Sequence, residues 1–237
     1  MSQTQDRAGQ RNPARGGGAT TAAPRLVVVD EPAAPVAEAY RSLRATVKFS
    51  SLMPPPRALL LADAGTGGQH PTVAANLAAA LALAGDGTIL VDANLHEPRL
   101  HELFGLANEA GVAEWLAAGD ATAPLPLRES GIPGLRLLGA GHLPGQVAPS
   151  DLLSGEAGAW LLERLREAAD FVVLDAAPLP ETADALALAA RVDGVLLLVR
   201  SGTTKRVPAQ RAKAALERVG ARILGAVLTD ASGRPRG

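Results

Sequence analysis

Six short apolar runs alternate with helix-patterned stretches along the chain, and this alternation constrains the fold more than any other feature. The runs occupy 58–62, 88–91, 135–138, 171–174, 195–199 and 223–228. Helical patterns fill 72–84, 111–118, 150–169, 181–190 and 207–219. Strands that are almost continuously apolar must be covered on both faces, which calls for a parallel sheet between helix layers. The expected architecture is a doubly wound α/β domain, a mainly parallel sheet with helices on both faces. Such sheets bind ligands at the carboxyl ends of their strands. Ahead of the alternation, 26–29 reads as a further short strand. Residues 36–50 read as a helix, closed by Pro54-Pro55-Pro56. Residues 1–24 form a Gln/Arg/Gly/Ala/Thr stretch without apolar period, read as a disordered, solubilising tail. The ordered domain is expected over 25–230, with a short flexible C-terminus at 231–237.

Composition removes several classes of function. With 47% hydrophobic residues the chain can bury a large core, but aromatics are only 3%, so that core must be mainly Ala, Leu and Val. The formal charge of −1 gives no overall argument for nucleic acid or membrane binding. The basic residues do not gather on one predicted helix and stacking aromatics are scarce, so no nucleic-acid partner is expected. Without cysteine there are no disulfides or thiolate metal sites, and the four histidines show no ligand spacing. Neither a secretory signal nor a membrane-length apolar stretch is evident, and the expectation is a cytoplasmic protein.

Between the run 58–62 and the helix from 72 lies Ala64-Gly65-Thr66-Gly67-Gly68-Gln69-His70-Pro71-Thr72. Strand, glycine-rich turn and helix is the setting in which a P-loop, G-x-x-x-x-G-K-[ST], cradles phosphates on backbone N–H groups. The final Gly-Lys-Ser places hold Gln69, His70 and Pro71. Gln69 removes the freedom of φ and the close backbone approach that glycine allows. His70 replaces a permanent charge with a side chain mostly neutral near pH 7. Pro71 has neither hydroxyl nor N–H, although proline suits the first turn of a helix. Losing two charge-assisted contacts at about 1.5–3 kcal/mol each would weaken binding by orders of magnitude. What remains for nucleotide is Gly65, Gly67, Gly68, His70 and Thr72; ATP and Mg²⁺ are the cofactors if any binding survives.

Asp92 and Asp175 each follow an apolar run, where an acid beside a P-loop commonly holds Mg²⁺ or its water shell. The plainer reading of each is a turn or helix cap. Glu38, Arg41 and Arg44, spaced by three, lie near one helical face, either as a solvated salt-bridge face or as an interface.

These segments resemble the cytoplasmic kinase domain of bacterial tyrosine kinases, the BY-kinases of capsule and exopolysaccharide assembly. These kinases belong to the deviant P-loop ATPases. Glu38-Ala39-Tyr40-Arg41-Ser42-Leu43-Arg44 resembles the E-x2-R-x2-R motif of ring assembly. Residues 72–78 resemble the helix after the P-loop, and 89–99 the second Walker-type segment, L-I-D-x-D-x-R-x-P. Residues 171–178 resemble the Walker B strand with its D-x-P-P ending. The resemblance implies catalytic roles for Asp92 and Asp175, vestigial here, and oligomerisation through Glu38, Arg41 and Arg44. It also implies docking on a transmembrane polysaccharide chain-length regulator that would recruit the chain to the inner face of the membrane.

The chain departs from the family at the points that matter for chemistry. Besides the loop, Asn94 stands where the second carboxylate of the Walker-type segment belongs, His96 where arginine belongs, and Ala177 where the first Pro of D-x-P-P belongs. The C-terminal tyrosine cluster is missing, and Tyr40 is the chain's only tyrosine. The resemblance therefore implies a pseudokinase acting through protein contacts in chain-length control or export. An atypical active kinase or ATPase is the alternative. A partitioning or division-site ATPase fits less well, because it would carry lysine at Ala64 and lack the Glu/Arg helix.

Overall fold

The computed structural model describes residues 26–50, 54–65, 71–145, 147–179 and 182–230. In chain order the elements are α1 (Val27–Asp30), α2 (Pro35–Lys48), β1 (Ala58–Asp63), α3 (Pro71–Ala82), β2 (Thr88–Asp92), α4 (Leu100–Leu103), α5 (Val112–Ala118) and β3 (Arg128–Glu129). There follow β4 (Leu135–Leu138), α6 (Pro149–Ser154), α7 (Glu156–Ala168), β5 (Phe171–Asp175), α8 (Ala183–Ala189), β6 (Gly194–Arg200), α9 (Arg206–Arg218) and β7 (Ile223–Thr229). The sheet runs β3-β4-β2-β5-β1-β6-β7. Every pairing is parallel except the two-residue edge strand β3 on β4.

Strands β1, β2 and β5 are buried at every residue, as sheet centres covered on both sides must be. One face carries Leu59, Leu61, Leu90 and Val173 against α3, with α1 and α2 outside it. The other carries Leu60, Ile89, Val91 and Leu174 against side chains of α5 to α9. Helix α3 is buried continuously from Val73 to Ala82, and six of those ten residues are alanine, so it lies close against the sheet. A helix apolar all round needs such a sandwiched place. Its one buried polar side chain, Asn76, is satisfied: Oδ1 accepts Val28 N–H at 3.2 Å and Nδ2 donates to Thr72 O at 2.8 Å.

Three expectations are corrected. Residues 26–29 form no strand: Asp30 N–H donates to Leu26 O and Glu31 N–H to Val27 O, closing the single turn of α1. Leu26 and Val28 are buried in the α3-side cluster, so tertiary packing overrides their β preference. The helix read over 150–169 is two helices, because Gly155 takes an extended conformation between α6 and α7. Basic residues do gather on one helix: α9 carries Arg206, Arg211, Lys213 and Arg218, with Lys205 at its N-cap. The segments 1–24 and 231–237 lie outside the described residues. Among the described residues no helix is long and apolar enough to cross a membrane.

Candidate functional site

Three adjacent central strands, β2, β5 and β1, each end in aspartate. Register places Asp92 beside Asp175 and Asp175 beside Leu61, two residues before Asp63. Side chains alternate along a strand. Asp63, Asp92 and Asp175 therefore follow Leu61, Leu90 and Val173 onto the face that α3 covers. Main-chain bonds tie the strand ends together. Ala93 N–H donates to Asp175 O at 2.9 Å, Leu179 N–H to Asp63 O at 2.9 Å and Ala176 N–H to Leu61 O at 3.0 Å. Asp63 is a member the sequence reading passed over, although it follows 58–62 just as Asp92 and Asp175 follow their own runs.

All three carboxyls are buried. Desolvation pushes Asp63 up to about 6, against the N–H groups of Gly65 and Ala64 and the charge of Arg200, which favour the anion. Desolvation also pushes Asp92 up to about 6, opposed by the N–H groups of Leu100, Arg99 and Asn94. Asp175 is raised well above the ordinary carboxylate range by burial and then by the charges of Asp92 and Asp63. Such a group holds protons near neutrality more readily than exposed carboxylates do.

Asp92 has a structural task as well. Its Oδ2 accepts Arg99 N–H at 3.0 Å and Leu100 N–H at 2.9 Å, closing the start of α4. Its Oδ1 is buried without a hydrogen-bond partner. Asn94 accepts Glu97 N–H at 3.2 Å and shapes the loop after β2. Two residues on, His96 Nε2 lies 2.6 Å from the buried Asp184 Oδ2 in the first turn of α8. Their separation of 88 positions left this pair without a sequence signal.

Gly65 follows β1, and a Cβ there would lie 3.5 Å from Pro208 Cβ, so the loop begins against the first turn of α9. Gly67, Gly68 and His70 fall outside the described residues. Pro71 is the first residue of α3, and Thr72, the second, is exposed. These residues fit Mg-nucleotide poorly. The free Asp92 Oδ1 could face a cation, but Pro71 brings no hydroxyl, Asn94 brings no carboxylate and His70 brings no permanent charge. Among the described residues no group of three or more His, Asp or Glu side chains is arranged to hold a metal ion.

On α2, Arg41 Nε donates to Glu38 Oε2 at 2.7 Å and its Nη1 to Pro32 O at 2.8 Å. Arg44 turns inward instead, donating to Ala80 O at 3.1 Å near the end of α3. Tyr40 is partly buried against the α3-side core, and desolvation raises its pKa.

No protein-family model matches the chain. The tyrosine-protein kinase YwqD of Bacillus subtilis is 31% identical over 206 residues, covering 86% of this chain and 84% of YwqD. The succinoglycan biosynthesis transport protein ExoP of Rhizobium meliloti is 34% identical over 179 residues, 75% of this chain but only 23% of ExoP. The solved kinase domain of the Escherichia coli tyrosine kinase ETK superposes with a TM-score of 0.78 at 28% identity, covering 89% of this chain and 83% of that one. ETK shares the strand-and-helix architecture that brings Asp63, Asp92 and Asp175 to one sheet edge. On this identity and coverage, the chain belongs to the bacterial tyrosine kinase (BY-kinase) family.

Proposed function

We propose that the chain is a catalytically impaired BY-kinase-like subunit that regulates exopolysaccharide or capsule chain length, or export, through protein contacts. The observation that carries this reading is the charge of the site. Asp63, Asp92 and Asp175 converge on the α3 side of one sheet edge, while the place of the phosphate-gripping lysine holds His70. A triphosphate brought there meets buried acids without the fixed cation that offsets its charge in a working loop. Asn94 and the partly buried Tyr40 remove the carboxylate that would serve as base and an accessible phosphoacceptor.

The pathway follows from the relatives, one named a tyrosine-protein kinase and one a succinoglycan biosynthesis transport protein. The partner expected is a transmembrane polysaccharide chain-length regulator that holds the chain at the inner face of the membrane. Exposed Glu38 and partly exposed Arg41 offer a ring contact between copies. Arg44 contributes to that contact only by holding α2 on α3.

Titration calorimetry with Mg-ATP tests the reading. The chain should show no micromolar binding, and Gln69→Gly/His70→Lys/Pro71→Ser should gain it. Micromolar binding by the unaltered chain, with phosphate transfer to a protein tyrosine, would refute the proposal. The unpartnered Asp92 Oδ1 favours a second reading in which Mg-nucleotide is held without turnover. In that case nucleotide would protect 72–77 from hydrogen exchange.

A further inference from the structure

The most unbalanced surface of the chain lies at the β6–β7 edge, next to β1. Residues 200–222 contain seven arginines and lysines against Glu217 alone, a formal +6. Residues 26–199 contain ten against 21 acids, a formal −11. Much of the positive charge is uncompensated. Lys213 pairs with Glu217 and Arg200 with Asp230. Lys205, Arg206, Arg211 and Arg218 are exposed, and none has an ion-pair partner among the described residues.

Apolar side chains share this surface. Helix α9 buries Ala212, Ala215 and Leu216 and turns its other side to solvent. Val207, Arg211, Ala214 and Arg218, spaced by four, three and four, form one exposed stripe. Val207 is 56% exposed, and Val219, at the C-cap, is also exposed. Leu228 on β7 is 58% exposed and sits in register with Val199, which packs into the α9-side core.

We propose that α9 and the adjoining edge of β7 form a docking surface for an anionic phospholipid bilayer. The four free cations match phosphate headgroups, and their alkyl stems can lie along apolar surface while the charges stay with the phosphates. Val207, Val219 and Leu228 gain by entering the boundary between headgroups and acyl chains. A nucleic-acid duplex offers phosphates but leaves those aliphatic side chains in water. No aromatic residue between 200 and 237 could stack on a base. The net-negative remainder of the domain is repelled by the same bilayer, so attachment favours one orientation. The first turn of α9, through Pro208, then brings the loop after β1 close to the membrane.

The test is sedimentation of the full chain with phosphatidylcholine vesicles, with and without about a third phosphatidylglycerol, at low and high salt. Binding is expected only to the anionic vesicles, and should fade as the Debye length falls to a few ångströms near 1 M salt. Each cation near an anionic surface is worth roughly fivefold in partitioning. Arg211→Glu/Arg218→Glu should therefore lose about 25-fold or more. Arg128→Glu/Arg136→Glu, on the opposite edge strands β3 and β4, makes the same charge change and should lose little. Circular dichroism checks that both variants fold. Equal binding of the double variant, no binding to anionic vesicles at low salt, or capture by duplex DNA but not vesicles would each overturn the proposal.

Discussion

Replacing Asp92 with asparagine should make the protein more stable at neutral pH, even though Asp92 is fully buried and hydrogen-bonded. Burial pushes its carboxyl from 3.8 to about 6. At about 1.4 kcal/mol per tenfold change in proton affinity, ionising it inside the fold costs about 3 kcal/mol. At low pH the group is protonated in folded and unfolded chains alike, and nothing is lost. Between about 4 and 6 the folded chain keeps a proton that the unfolded chain has released, so stability falls as pH rises through that window. Above it the whole cost is present. The substituted side chain would still accept Arg99 and Leu100 N–H through its amide oxygen, and its neutral amide would replace the unpartnered Oδ1. Asp92→Asn should gain about 3 kcal/mol at pH 7.5 and only about 1 kcal/mol at pH 4.5, from the same two pKa values. With a urea slope of about 3 kcal/mol per molar, the midpoint should rise by about 1 M at pH 7.5. Paired urea titrations at the two pH values measure it. An equal gain at both, or none at pH 7.5, would refute the electrostatic reasoning.

Asp193 should behave in the opposite sense. Desolvation disfavours its anion, but Ala58 N–H at 2.8 Å, Arg57 N–H at 2.9 Å and Arg166 outweigh that and hold its pKa below the ordinary value. Its stabilisation is present at neutral pH and lost as pH falls through the carboxylate range. Asp193→Ala should cost about 2–3 kcal/mol in urea unfolding at pH 7. Gly158→Ala should destabilise by about 2 kcal/mol or more in thermal unfolding although alanine is the better helix former, because the new Cβ would lie 2.1 Å from Leu153 O. Arg44→Ala should cost the isolated chain about 1 kcal/mol through its bond to Ala80 O, whereas Glu38→Ala should cost under about 0.5 kcal/mol. Equal costs would show that Arg44 has no internal role.

The sheet was readable in advance because its main strands are short, almost continuously apolar and separated by helical patterns. All six runs became strands within a residue or two. Edge strand β3 was not readable, since two residues, Arg128 and Glu129, carry no period. The β-branched run at 27–29 misled because its burial comes from α3 rather than from sheet neighbours, a contact that local pattern does not encode. Asp92 and Asp175 were recognisable as acids after strands, and Asp63 offered the same sign. Their convergence on the α3 face depends on strand order, which brings β5 between β1 and β2. The inward turn of Arg44 depends on the approach of α2 to α3.

Helix α3 is gripped by the sheet from Val73 to Ala82 and starts on Pro71, whose nitrogen carries no hydrogen to leave unpaired. Burial on the sheet, rather than an anion at its N-terminus, is the main source of its stability. Replacing lysine, serine and glycine in the preceding loop leaves the buried stretch from Val73 to Ala82 unchanged. In this scaffold, selection for shape and selection for phosphoryl chemistry act on different residues. A chain of this fold that lost turnover would therefore keep its shape, and with it the surfaces through which it meets other molecules.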